Sequence, residues 1–233
     1  MSNRKVPICD GEYYHVYNRG NSKQKIFLDE EDYMHFIKLL YISNTYKKYK
    51  FRDNIVDHNI DAFEFDRGET IVSIGAWVLM PNHFHFYITT SHQSDWWEKI
   101  ERNRISEYMR KLLTAYTLYF NKKYNRTGGL FEGKFKSVHI NNDNQAKYLF
   151  SYIHLNPIKL IQKDWKKNGI RNTKKALDFL GNYKWSSYQD YKGDNRIENT
   201  ILDTKNFLQY FSSIKDFEKE ILEWLKYKKE EIF

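Results

Sequence analysis

Two histidines on either side of a phenylalanine, His83-Phe84-His85, are the first residues whose type and spacing suggest chemistry. In a β-strand, side chains two apart share a face, so both imidazoles point the same way. Two adjacent imidazoles are a natural start to a divalent-metal site. The spacing equally suits two packed or solvated strand histidines, so alone it does not choose. A second pair is Tyr152 and Asn156, in SYIHLNP. Four residues apart on a helix, they are neighbours to one side of an apolar face made by Ala146, Leu149, Phe150 and Ile153. A phenol, with a pKa of about 10, is a poor nucleophile at neutral pH. It becomes useful where a metal polarises the electrophile and fixes its geometry. The amide oxygen of Asn156 is able to add a third donor to the two imidazoles. Read alone, Tyr152 is one of 19 tyrosines, equally a half-buried helix residue, and Asn156 equally a C-terminal cap.

A third feature is the interleaving of basic and aromatic residues. It occurs in the segment YKKYKFR from Tyr46, in KKYNR from Lys122 and in FEGKFK from Phe131. Such stretches suit single-stranded nucleic acid, with cations tracking phosphates and rings stacking on bases. They equally describe solvated surface with snorkelling lysines. Lys and Arg number 38 against 30 Asp and Glu, a formal charge of +8 that favours a polyanionic partner of unspecified kind. One cysteine, Cys9, rules out an internal disulfide framework and suits a reducing compartment. The longest apolar stretch, residues 71–80, is too short to span a bilayer, and MSNRKVPICD lacks the apolar core of a secretory signal. The expectation is a cytoplasmic protein with no membrane association.

The elements that must position these residues follow from periodicity. Residues 13–19 read as a strand, ending at a Gly20-Asn21-Ser22 turn. Asp29 is an N-cap for a helix with Tyr33, Phe36, Ile37, Leu40 and Tyr41 at helical spacing. Residues 51–70 read as a connection. Residues 71–80 form a strand buried on both faces and 83–90 a second, the two making a hairpin across Pro81-Asn82. A strong amphipathic stripe marks a helix over 105–124. A short strand at 135–140 precedes a helix capped by Asp143 and stopped by Pro157. The order β-α-β-β-α-β then α is the split β-α-β pattern of an α+β, ferredoxin-like sheet. Beyond it, helices are expected over 168–181 and 207–228. The expected division is a catalytic domain over 1–190 and a helical extension over 191–233.

Four segments, in order, carry a family resemblance: YHVYNRGNSKQKIF from Tyr14, followed by Asp32-Tyr33; AWVLMPNHFHFYI from Ala76; GGLFEGKFKS from Gly128; and YLFSYIHLNPIK from Tyr148, followed by WSSY from Trp185. Through them the chain resembles the Y1-type HUH transposases of the IS200/IS605 kind, most closely the REP-associated tyrosine transposase branch, over some three quarters of its length. The resemblance implies a ferredoxin-like fold and cleavage of single-stranded DNA, usually beside a hairpin, with Mg²⁺ or Mn²⁺. It implies His83 and His85 as metal ligands, Asn156 as the third ligand and Tyr152 as the nucleophile. Attack by Tyr152 would give a 5′-phosphotyrosyl intermediate and a free 3′-OH. Arg19, Lys134 and Lys136 are candidate phosphate contacts, and a homodimer with the tyrosine acting in cis or in trans is open. Two other functions remain: a non-catalytic single-stranded DNA or RNA hairpin binder on the same fold, and a zinc hydrolase. The zinc hydrolase lacks a third His, Cys or acidic ligand at a recognised spacing.

Overall fold

The computed structural model describes residues 7–90, 103–207, 211 and 213–226. Its strands and helices run β1 (Tyr13–Arg19), α1 (Glu30–Ile42), β2 (Ser73–Met80), β3 (His83–Thr89), α2 (Arg104–Lys123), β4 (Lys136–Ile140) and α3 (Asp143–Leu155). There follow α4 (Ile158–Ile161), α5 (Trp165–Asn168), α6 (Thr173–Asn182), α7 (Tyr188–Tyr191) and α8 (Ile214–Lys226). The four strands form one sheet in the order β2-β3-β1-β4, and every pairing is antiparallel. This is the ferredoxin-like order expected from β-α-β-β-α-β.

Alternation in β1 sends Tyr14 and Val16 to one face and Tyr13, His15 and Tyr17 to the other. The first face packs on α1 and α2 through Phe36, Ile37, Leu40, Tyr108, Met109, Leu112, Tyr116 and Phe120. The second face carries Ala76, Val78, Met80 and Tyr87, and packs on Leu149, Phe150 and Ile153 of α3. Phe217, Ile221 and Leu225 of α8 belong to that same apolar cluster. α8 therefore packs with α3. β2 and β3 lie between the two clusters and are buried along almost their whole length, which is why their sequences are apolar without alternation.

Local rules explain most boundaries. Asp29 caps α1 in a reciprocal box with Asp32. The α3 cap is Asn142, whose side chain accepts from the Gln145 amide, and not Asp143. Asp143 instead sits in the first turn, where the helix dipole favours its charge. Pro157 does not end helical backbone: it is itself the N-cap of α4, with φ −60° and ψ −23°. What it removes is one amide donor. The helix expected from residue 168 begins at Thr173, because Gly169 turns the chain at φ 68° and Asn172 then caps α6. The last helix begins at Ile214; Leu208 and the end of the expected 207–228 stretch lie outside the described residues.

Two of the shared segments act by holding the β2–β3 turn. The Pro81 carbonyl accepts from Ile26 and Phe27, at 2.8 and 3.2 Å, and the Asn82 carbonyl from the Gly20 amide at 2.9 Å. WSSY lies along the outer edge of β2: Leu79 donates to the Trp185 carbonyl, and Ser187 to that of Trp77, both at 2.9 Å. It thereby covers an edge strand that would otherwise be open.

Gly20 has ordinary extended dihedrals, φ −61° and ψ 143°. Its constraint is space, because a Cβ there would come within 2.2 Å of the Gln24 carbonyl oxygen. Gly20→Ala is expected to lower stability by about 1–3 kcal/mol, the range for forced overpacking, as read from the urea midpoint. Burial also pushes His35 down to about 4 and His154 down to about 3. The unfolded chain takes up these protons near pH 6.5 and the folded chain only well below it, so stability is full above pH 6.5 and falls as the pH drops towards 4. The urea midpoint at pH 5 should be lower than at pH 7, and an unchanged midpoint would show that these imidazoles are not buried neutral.

Candidate active site

Strand register decides what meets His83 and His85. Tyr17 lies opposite His85 and Arg19 opposite His83 on β1; Val78 and Met80 lie opposite them on β2. Residues directly opposite share a face. The two histidines thus point to the α3 face, as strand periodicity required, with ring centroids 5.0 Å apart. α3 crosses that face and brings Tyr152 to His85, with ring centroids 5.3 Å apart and nearly perpendicular. Asn156, one turn on, is 1% exposed at the junction of α3 and α4. Tyr152, His83, His85 and Asn156 therefore converge within one chain.

Each imidazole is held by a neighbour. His83 Nδ1 pairs with Asn82 Oδ1 at 2.7 Å. Since the amide oxygen only accepts, His83 carries its proton on Nδ1 and keeps a lone pair on Nε2. His85 Nδ1 lies 2.8 Å from His15 Nε2. In the tautomer where His85 donates, its Nε2 is also a free lone pair, and His15 is the acceptor that fixes the ring. His15 ring-stacks on Tyr17, with centroids 4.8 Å apart, and meets the edge of Tyr152 at 6.0 Å.

Burial sets the charge state. It pushes His15 and His83 down to about 4, and His85, only 7% exposed, well below its usual value. Lys159 adds to the depression of His83, while the Asn156 amide slightly opposes it. No aligned hydrogen bond forms between them, and both Oδ1 and Nδ2 of Asn156 are buried without a partner. A buried amide with two unmet polar atoms is costly unless something else binds it. Neutral imidazoles with free Nε2 lone pairs and an unmet amide oxygen form a donor set that fits a divalent cation. Among the described residues no group of three or more His, Cys, Asp or Glu is placed to hold a metal.

The three basic residues expected at the phosphate are distributed differently. Arg19 is engaged by the Glu132 carboxylate, through Nε and through Nη2 at 2.9 Å from Oε1. A phosphate would have to displace that carboxylate. Lys136, opposite Tyr17 on β4, and Lys134, just before the strand, are exposed and in no ion pair among the described residues. Two lysines that the sequence did not single out lie closer to Tyr152. Lys166 Nζ is 4.3 Å from its ring centroid and Lys159 Nζ 5.3 Å. His15 and Asn82 were also missed as site residues. His15 sat in plain view in YHVYNRG, and only the β1–β3 register reveals its partner. No described helix is long and apolar enough to cross a membrane.

No family model matches the chain, and no curated protein matches it. Among solved structures, a REP-associated tyrosine transposase bound to a REP hairpin is similar to it: 16% identical, over 91% of this chain and 100% of that one, with a TM-score of 0.46. At that identity and score the likeness carries no argument about chemistry, which rests on this chain's own side chains. Their protonation is directly checkable. In ¹H–¹⁵N spectra, His83 should be the Nδ1–H tautomer at neutral pH and should titrate near 4; a midpoint near 6.5 would contradict its burial.

Proposed function

We propose that the protein is a metal-dependent single-stranded DNA endonuclease and strand transferase of the HUH tyrosine-transposase type. The observation that carries this reading is the convergence of Tyr152 with His83, His85 and the unpartnered Asn156 amide on one sheet face. A purely binding site has no need of three neutral buried imidazoles beside a tyrosine. That set of residues favours catalysis over the hairpin-binding alternative.

In this reading, His83, His85 and Asn156 would hold a divalent metal ion through two imidazole nitrogens and an amide oxygen. The expected ion is Mg²⁺ or Mn²⁺. A divalent cation bound there supplies Lewis-acid polarisation of a phosphodiester and stabilises the departing 3′ oxygen. Asn82 and His15 orient the two imidazoles from behind, as outer-shell partners do. Tyr152 Oη loses its proton to solvent and bonds to phosphorus. The P–O3′ bond breaks, the 3′ oxygen takes up a proton, and a 5′-phosphotyrosyl linkage remains. Because the linkage retains the energy of a phosphodiester, a 3′-OH can attack it in return without a nucleotide cofactor. Lys134 and Lys136 would track neighbouring phosphates, and Arg19 would join them only by leaving Glu132. The partner is single-stranded DNA, with a hairpin beside the cleaved step. A homodimer is compatible with this reading, but no group from a second copy is needed to assemble the four residues.

With Mn²⁺ and a hairpin-bearing single strand, the wild-type protein should form a covalent adduct on denaturing gels. Tyr152→Phe should reduce that adduct at least 1000-fold, and His83→Ala or His85→Ala should reduce it at least 100-fold. An adduct at the wild-type rate from Tyr152→Phe would end the nucleophile assignment. In isothermal titration, Asn82→Ala should weaken Mn²⁺ binding about 10–100-fold, the usual cost of losing an outer-shell partner; unchanged affinity would mean that Asn82 does not orient His83.

A further inference from the structure

The charges around the site are one-sided. The charged groups acting on His83 and His85 are Lys159, Arg19 and Lys166, and of these three cations only Arg19 has a carboxylate partner, Glu132. Elsewhere on the protein, Lys123 has Asp29, Glu31 and Asp32, and Arg196 has Asp190, while the half-buried Lys111 donates to the Thr45 carbonyl. Lys159 and Lys166 take part in no ion pair among the described residues. The nearest acid in sequence, Asp164, is turned to Arg171 at 3.1 Å and to the Asn168 amide at 2.7 Å.

The Lys159 side chain is half-buried and that of Lys166 exposed, so both ammoniums are open to an anion arriving from solvent. Two cations brought together without counterions cost free energy that an arriving anion offsets. Both face the ring of Tyr152, at 5.3 and 4.3 Å. They reach it from α4 and α5, which follow the Asn156-Pro157 junction at the end of α3. The same junction that presents Asn156 thus also presents the lysine pair.

We propose that Lys159 and Lys166 together seat a phosphodiester of single-stranded DNA against Tyr152, holding it for attack independently of the metal. The proposal deepens the reading of Tyr152 as nucleophile and rests on it for the identity of the phosphate. It also explains how a site without carboxylate ligands gathers positive charge twice: the anionic backbone neutralises the lysines and lowers the cost of a divalent cation beside them. Metal and DNA should then raise each other's affinity by the same factor.

The test uses the full-length Tyr152→Phe protein in EDTA, which removes both chemistry and metal. Binding of a fluorescent hairpin-bearing single strand is measured as a function of salt. Adding Lys159→Met and Lys166→Met together should weaken binding at least tenfold and reduce the slope of log affinity against log salt by about 1.4, the loss of two single-strand phosphate contacts. Lys159→Arg with Lys166→Arg should stay within about threefold of the parent, which a merely structural role for the stems would not require. Melting temperatures confirm that each variant folds. If the double Met variant binds within twofold of the parent with the same slope, the proposal is overturned. It is also overturned if inorganic phosphate alone raises the melting temperature through these lysines while their loss leaves DNA binding unchanged. Adduct formation by the protein with Tyr152 intact is scored separately. Its absence with the lysine effect retained supports the seat and counts only against the nucleophile.

Discussion

The site depends on the antiparallel register between β1 and β3. It pairs Tyr17 with His85 and Arg19 with His83. With a period of two, that register puts His15, His83 and His85 on one face and leaves Tyr14, Val16, Phe84 and Phe86 for the core beneath α1 and α2. A slip of one residue would bury the imidazoles among phenylalanines. Most of the apparatus around the site resists such a slip. The loop after β1 ties its backbone to Pro81 and Asn82. Gly20 permits the close approach, and Asn82 fixes His83. Ser186 and Ser187 lock the far side of β2, with Val78 bridged to Ser186.

The second constraint is that the sheet is covered on both faces. α1 and α2 occupy one face, and α3 crosses the other under α6 and α8. That cover desolvates the imidazoles and holds them neutral, which leaves ring-nitrogen lone pairs available to a cation. It also leaves the Asn156 amide buried without partners, a local cost. The unmet Asn156 amide and the two lysines without ion pairs both lie near the α3–α4 junction. A fold stabilised by its cores tolerates these where something binds.

The order of elements in the sequence anticipated the sheet order, and short-range rules paired the residues within each motif: period two for His83 and His85, and i,i+4 for Tyr152 and Asn156. That the two pairs belong together was implied by the family resemblance and not by periodicity. What it hid depends on contacts far apart in sequence. His15 matters only through its pairing with His85. Lys159 and Lys166 matter only because α4 and α5 fold back over Tyr152. Arg19 looked like a free cation until Glu132 was found across from it. Asp143 and Pro157 were misjudged for a smaller reason: two adjacent capping residues, Asn142 and Asp143, compete for one role, and a proline that cannot continue one helix is well suited to start the next.

The most direct measurement is peptide mapping of the trapped protein–DNA adduct by mass spectrometry after nuclease digestion. The account predicts a nucleotide remnant joined through its 5′-phosphate to the peptide containing Tyr152. A remnant on another residue, such as the neighbouring Tyr148, or a cleaved strand with no covalent remnant at all, would contradict it.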